Sequence, residues 1–166
     1  MKPISRPLNP NEIYKICQVP FRLVKYSDLH RFDSLDEIFN GLKAIVLLFE
    51  SRKGYGHWTC LIKQKDRICF FDPYAFVPDD ELHFSNIGFR KMNNMDLPYL
   101  TALLYFSKLP CDYNDHQFQR FDKRILTCGR HTAWRLKHHH LTNDEYIKQF
   151  GHLKDKDIVK LTENYI

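Results

Sequence analysis

HWTCLIKQKDRICFFDPY, residues His57 to Tyr74, is the stretch on which the architecture turns. His57 to Gln64 (HWTCLIKQ) and Arg67 to Phe71 (RICFF) are runs of β-branched, aromatic and apolar residues, and they meet at Lys65-Asp66. That pattern predicts two strands in a hairpin. The pair ends at Asp72-Pro73-Tyr74, because proline has no N–H to give to a ladder. Upstream, Ala44 to Phe49 (AIVLLF) is a continuous apolar run rich in branched residues, as expected of a strand covered on both faces. The loop Ser51-Arg52-Lys53-Gly54-Tyr55-Gly56 joins it to His57.

Helix signals lie on either side of these strands. Asn9-Pro10-Asn11-Glu12 combines a capping Asn, a first-turn Pro and a third-position Glu, and opens a helix to about Cys17. Ser34-Leu35-Asp36-Glu37 is a capping box whose helix stops near Asn40-Gly41. Residues 75 to 94 read as a long surface connection. Leu97 to Leu109 is apolar at helical spacing and halts at Pro110. Asp112 to Leu126 is polar and irregular. Cys128 to about His140 reads as a helix capped by Thr127. Thr142-Asn143-Asp144-Glu145 is another box, leading to Phe150, and a last helix runs from Lys154 to Glu163. Helices at both ends and strands in the middle give an α+β class.

The chain has 166 residues with 13 Phe and 9 Tyr, enough apolar volume for a core and the right length for a single domain over 1–166. No apolar run approaches the roughly 18–20 residues that span a bilayer, so no membrane association is expected. The start, MKPISRPLNPNEIYK, is polar and unlike a secretory signal. The expected location is intracellular, in cytoplasm, nucleus or a particle, and not secreted. Five cysteines at 17, 60, 69, 111 and 128 are odd in number with no CxxC pair, which favours neither a disulfide framework nor zinc. No metal and no cofactor are expected. The net charge of +5 fits either an acidic partner such as nucleic acid or a solvated basic surface. His138-His139-His140 reads as a solvated, partly charged helix end, since helix neighbours point about 100° apart and three in a row do not converge on one ion.

Cys128 falls at a predicted helix start, where unpaired amides and the dipole favour a thiolate. Gly129 beside it has no side chain to hinder a carbonyl approaching the Cys128 amide. Position alone also fits a core thiol. His57 opens one strand of the hairpin next to Trp58, and Asp72 ends the other, so the two are expected to face each other across it. A carboxylate there would fix the imidazole's tautomer and stabilise its charged form. Gln119 and Gln117, ahead of Cys128, are side-chain donors for an oxyanion. The loop Gly54-Tyr55-Gly56 could flex over a bound chain or simply connect strands.

The order Gly56-His57-Trp58, then Phe70-Phe71-Asp72-Pro73-Tyr74, then Gln119, then Cys128-Gly129 resembles the superfamily of adenovirus-maturation and ubiquitin-like-protein-specific cysteine proteases. Tyr113-Asn114 before Gln117-Phe118-Gln119, and Thr127-Cys128-Gly129-Arg130 after, most resemble short proteases of large DNA viruses and virophages. The resemblance covers roughly residues 44 to 140. It implies a papain-like architecture, a central mixed sheet flanked by helices with the nucleophile at a helix N-terminus. It implies His57 as general base, Asp72 as its orienting acid, Cys128 as nucleophile and Gln119 as oxyanion donor, with Trp58, Gly129 and Gly56 lining the substrate. The implied partner is a protein: a viral precursor in the host cell or virion, or a ubiquitin-like conjugate. A DNA or peptide activator is compatible with the resemblance, and a monomer is expected. In familiar relatives the glutamine lies about six or seven residues before the cysteine. Here Gln119 lies nine before it, which leaves Gln117 open. Thr127 stands where several ubiquitin-like-specific members carry Asp, which tilts the reading toward a viral maturation enzyme. Two other readings are a Cys-His acetyltransferase and a basic nucleic-acid-binding module.

Overall fold

A computed structural model describes residues Met1–Ile166. The apolar run becomes β2 (Ala44–Arg52), and the hairpin becomes β3 (Tyr55–Lys63) and β4 (Ile68–Phe71). These are joined by two edge strands that the sequence reading did not find, β1 (Arg22–Lys25) and β5 (Cys111–Tyr113). The sheet order is β1-β2-β3-β4-β5, with both edges parallel to their neighbours and the two inner pairings antiparallel. The expected α+β class with a central mixed sheet is therefore found. Both edge strands are only three or four residues long, too short to carry a periodicity signal.

Residues Ala44 to Glu50 are all buried, as the unbroken apolar run requires. Their side chains alternate between two cores, because successive residues of a strand point to opposite faces. Ala44, Val46 and Leu48 join Trp58, Cys60 and Phe71 on one face. Ile45, Leu47 and Phe49 join Leu61, Ile68 and Phe70 on the other. The first face is covered by α1 (Pro10–Cys17), α5 (Cys128–Lys137) and α6 (Asn143–Phe150). The second is covered by α2 (Leu35–Phe39), α4 (Tyr99–Phe106) and the 3-10 turn Tyr26–Arg31.

The capping boxes at Asn9 and Thr142 form with both reciprocal bonds. At Ser34 only half forms: its hydroxyl accepts from Glu37 N–H, while the Glu37 carboxylate accepts from Asp33 N–H instead. Residues 75 to 94 are not a bare connection. They hold a 3-10 turn at Asp80–Phe84 and α3 (Ile87–Met92), with Leu82 in the core. The final helix is α7 (Asp155–Thr162). Thr127 does not cap α5; its hydroxyl donates to Asp155 Oδ1 at 2.5 Å. No helix is long and apolar enough to cross a membrane.

Candidate active site

His57 Nε2 and Asp72 Oδ1 lie 2.7 Å apart, both buried. They are not directly opposed across the hairpin. Cys60 pairs with Phe71 and Leu61 with Phe70, so extending that register sets Tyr74 across from His57. Asp72 occupies the diagonal position, which is still within side-chain reach. Tyr74 takes the facing place, its ring stacked on the imidazole at 4.4 Å between centroids and 7° between planes. Asp72 is itself held from several sides. Its N–H donates to Asn114 Oδ1 (2.9 Å), Asn114 Nδ2 donates back to its carbonyl (2.7 Å), and Tyr74 N–H donates to Oδ1 (2.8 Å). Asn114 follows β5, so the short edge strand positions the carboxylate that holds the imidazole.

Cys128 is the first residue of α5 and lines the same cleft of about 670 Å³ as His57. Gly56 also lines it, whereas Trp58 and Gly129 do not. Trp58 is buried, and its indole N–H donates to Leu8 O at 3.0 Å. A Cβ on Gly129 would lie 3.1 Å from both Leu8 Cβ and Trp58 Cδ1, so this glycine permits close packing beneath the helix start. At Gly56 a Cβ would fall 2.0 Å from Phe49 O, where the β2–β3 register is irregular. The backbone there can be built only with glycine.

Gln119 is buried and lines the cleft; Gln117 is exposed, lies off it, and donates from Nε2 to Gln119 O at 2.7 Å. Gln119 Nε2 donates to Ile125 O (3.0 Å) and reaches Tyr74 Oη over 3.3 Å. The backbone N–H groups of Phe118 and Gln119 both donate to Pro73 O at 2.9 Å, tying this loop to the Asp72 turn. An aromatic wall continues outward from the imidazole: Tyr74 stacks on Phe121 at 4.7 Å, and Phe121 on Phe76 at 5.4 Å.

No protein-family model matches the chain. Among known proteins, uncharacterized protein V9 of Sputnik virophage is 38% identical over 138 residues, covering 82% of this chain and 79% of that protein. This chain belongs to the V9 family. In structure the V9-family chain is similar to the pS273R protease of ASFV, at 14% identity and a TM-score of 0.49 over 97% of this chain and 69% of that one. It is also similar to the SUMO protease Ulp1, at 13% identity and a TM-score of 0.38 over 96% and 79%.

The electrostatics of this V9-family site include a residue the sequence reading missed, Glu81. It is buried in the cleft, from the 3-10 turn Asp80–Phe84, and its donor atom lies within 4.8 Å of those of His57 and Asp72. Burial pushes its carboxyl up to about 7, with the His57 charge pulling down and the Asp72 charge adding to the rise. Burial opposes a charged His57, yet the charges of Asp72 and Glu81 and the hydrogen bonds of Asp72 and the Cys128 thiol hold its pKa well above the ordinary histidine value. Only tertiary packing brings Glu81 here, and no local motif marked it. The three donors are close enough for a cation, but His57 Nε2 and Asp72 Oδ1 are already engaged with each other.

Some sequence-level charge assignments change as well. Arg130 and Arg135 are fully buried, so part of the basic excess is internal. Arg135 donates to His138 O and Leu141 O, closing the end of α5. His138 and His139 have lowered pKa values, from burial first and then from neighbouring cations and His140. They are largely neutral near pH 7 rather than charged partners of the helix dipole.

Proposed function

We propose that this chain is a cysteine endopeptidase that cleaves precursor proteins during assembly of a virus-like particle. One observation supports it above the others: a buried imidazole bonded to a carboxylate lines the same open cleft as a thiol at a helix start. Asp72 accepts from Nε2–H, which leaves Nδ1 as the nitrogen for the Cys128 proton. The raised proton affinity of His57 favours a thiolate–imidazolium pair before substrate arrives.

In this reading the thiolate attacks the scissile carbonyl carbon and its oxygen becomes an oxyanion. The Cys128 N–H and Gln119 Nε2 donate to that oxyanion. The bond from Gln119 to Ile125 O keeps the amide in place, while the longer one to Tyr74 Oη is the one a substrate oxygen would take. Collapse expels the amine, which takes the proton from His57, and water then hydrolyses the thioester. Kinship with a virophage protein supports a viral setting, inside the host cell or particle.

The test co-expresses the 166-residue chain with structural proteins of its source particle, and the chain is purified separately for circular dichroism. The parent is expected to produce discrete fragments, and Cys128→Ala none, with unchanged circular dichroism. Cleavage that survives Cys128→Ala would overturn the proposal. Rapid labelling by electrophilic ubiquitin-like probes, with no precursor cleavage, would favour removal of ubiquitin-like proteins instead.

A further inference from the structure

Asp155, the first residue of α7, plays no part in the chemistry above, yet it touches the chain beside both oxyanion donors. It is 8% exposed. Its Oδ1 accepts from Thr127 Oγ1 at 2.5 Å and lies 3.2 Å from His131 Nε2, and its Oδ2 accepts from the Arg120 N–H at 3.1 Å. Thr127 immediately precedes Cys128, and Arg120 immediately follows Gln119. His131 lies one turn along α5 from the thiol. One carboxylate therefore closes both ends of the 120–127 loop.

We propose that Asp155 is a positioning residue that fixes the distance between the Gln119 amide and the Cys128 N–H, so that both donors meet one oxyanion. This rests on the cysteine-protease reading. Both donors must come within about 2.7–3.1 Å of the developing charge. A misplacement of about 1 Å can cost roughly 100-fold in rate. The loop between them is also held by Gln119 Nε2 on Ile125 O, Leu126 N–H on Ile4 O (2.8 Å) and Ser5 Oγ on Arg124 O (2.6 Å), but Asp155 is the group that bonds both its first and its last residue. The carboxylate form is essential to the arrangement. It offers acceptors on both oxygens, and the Thr127 bond at 2.5 Å lies in the short range of a hydroxyl bonded to an anion. Burial pushes His131 toward its neutral form, which can still donate from Nε2. Burial works against the charge on Asp155, and the bonds from His131, Thr127 and Arg120 overcome it, leaving its pKa lowered.

Asp155→Asn separates spacing from fold. One oxygen remains for Thr127 and His131, but the new NH₂ faces the Arg120 N–H, donor against donor. Two reactions of Cys128 are compared, each corrected with Cys128→Ala. Alkylation by iodoacetamide needs the thiolate and no oxyanion donor. Acylation by p-nitrophenyl acetate needs both: the sulfur–carbonyl bond forms, the ester C–O bond breaks, and p-nitrophenolate leaves.

In Asp155→Asn, alkylation should stay within about twofold of the parent while the acylation burst slows at least tenfold. Asp155→Glu should recover part of the acylation rate, and Thr127→Val should show a smaller loss of the same kind. Equal loss of both rates would mean a merely structural residue and overturn the proposal, as would acylation at the parental rate. A parent whose Cys128 alkylates but never acylates would instead remove the protease reading, and this inference with it.

Discussion

At His57, two carboxylates act on one imidazole, and only one of them is bonded to it. Asp72 is fixed by Asn114 and by the Tyr74 N–H, whereas Glu81 makes no hydrogen bond through its buried Oε2. Glu81 thus supports the imidazolium through charge alone and destabilises the fold when ionised. The sign follows from its raised pKa: the protonated form is favoured in the folded state, so stability is fully present below about 4.5 and is lost as pH rises through about 7. A shift of that size corresponds to about 3 kcal/mol. Glu81→Gln should therefore gain about 2–3 kcal/mol over the parent between pH 5 and pH 8, measured by urea unfolding at each pH. A pH-independent difference would show that Glu81 stays ionised throughout.

Among the elements, the start of α5 is the most constrained. Gly129, its second residue, sits against Leu8 and Trp58, and Thr132, one turn further on, donates to Trp58 O at 3.1 Å. Gly129 is thus a packing requirement of the helix–strand contact rather than an opening toward substrate. Gly129→Ala should cost about 1–3 kcal/mol through overpacking, read as a lower urea midpoint with an unchanged m-value. It should also slow alkylation of Cys128, because the helix start must move to admit the methyl. Stability equal to the parent's would show that Leu8 gives way freely. The β2–β3 connection has the same logic in a stricter form, with no room for a Cβ at Gly56.

Over the whole molecule, the N-terminal segment straps the site from outside the sheet. Ile4 O accepts from Leu126 N–H, Ser5 Oγ donates to Arg124 O at 2.6 Å, and Leu8 O accepts from the Trp58 indole while its side chain fills the core. Deleting residues 1–8 removes a buried leucine and leaves the indole N–H without a partner. The expected loss is on the order of 3–8 kcal/mol, comparable to the total stability of an ordinary domain. Deleting only residues 1–3, which are exposed, should change little. Thermal unfolding of the two truncations side by side checks this, and equal melting temperatures would refute the strap.

The inner strands, most helices and their caps were legible in the sequence, because each rests on local signals: an unbroken apolar run at Ala44–Phe49, capping residues at Asn9 and Thr142, and turn chemistry at Lys65-Asp66. Cys128 at a helix start and the proximity of His57 to Asp72 were legible for the same reason, since a hairpin brings nearby residues together. The edge strands, the His57–Tyr74 stack, Glu81 and the bonds of Asp155 were not. They depend on register and on contacts between segments far apart in the chain, and a single buried acid carries no periodicity. The sequence by itself determined the class of fold and which side chains could meet at the cleft. The tertiary structure alone decided which groups surround them, because distances between donors are set by packing and not by spacing along the chain.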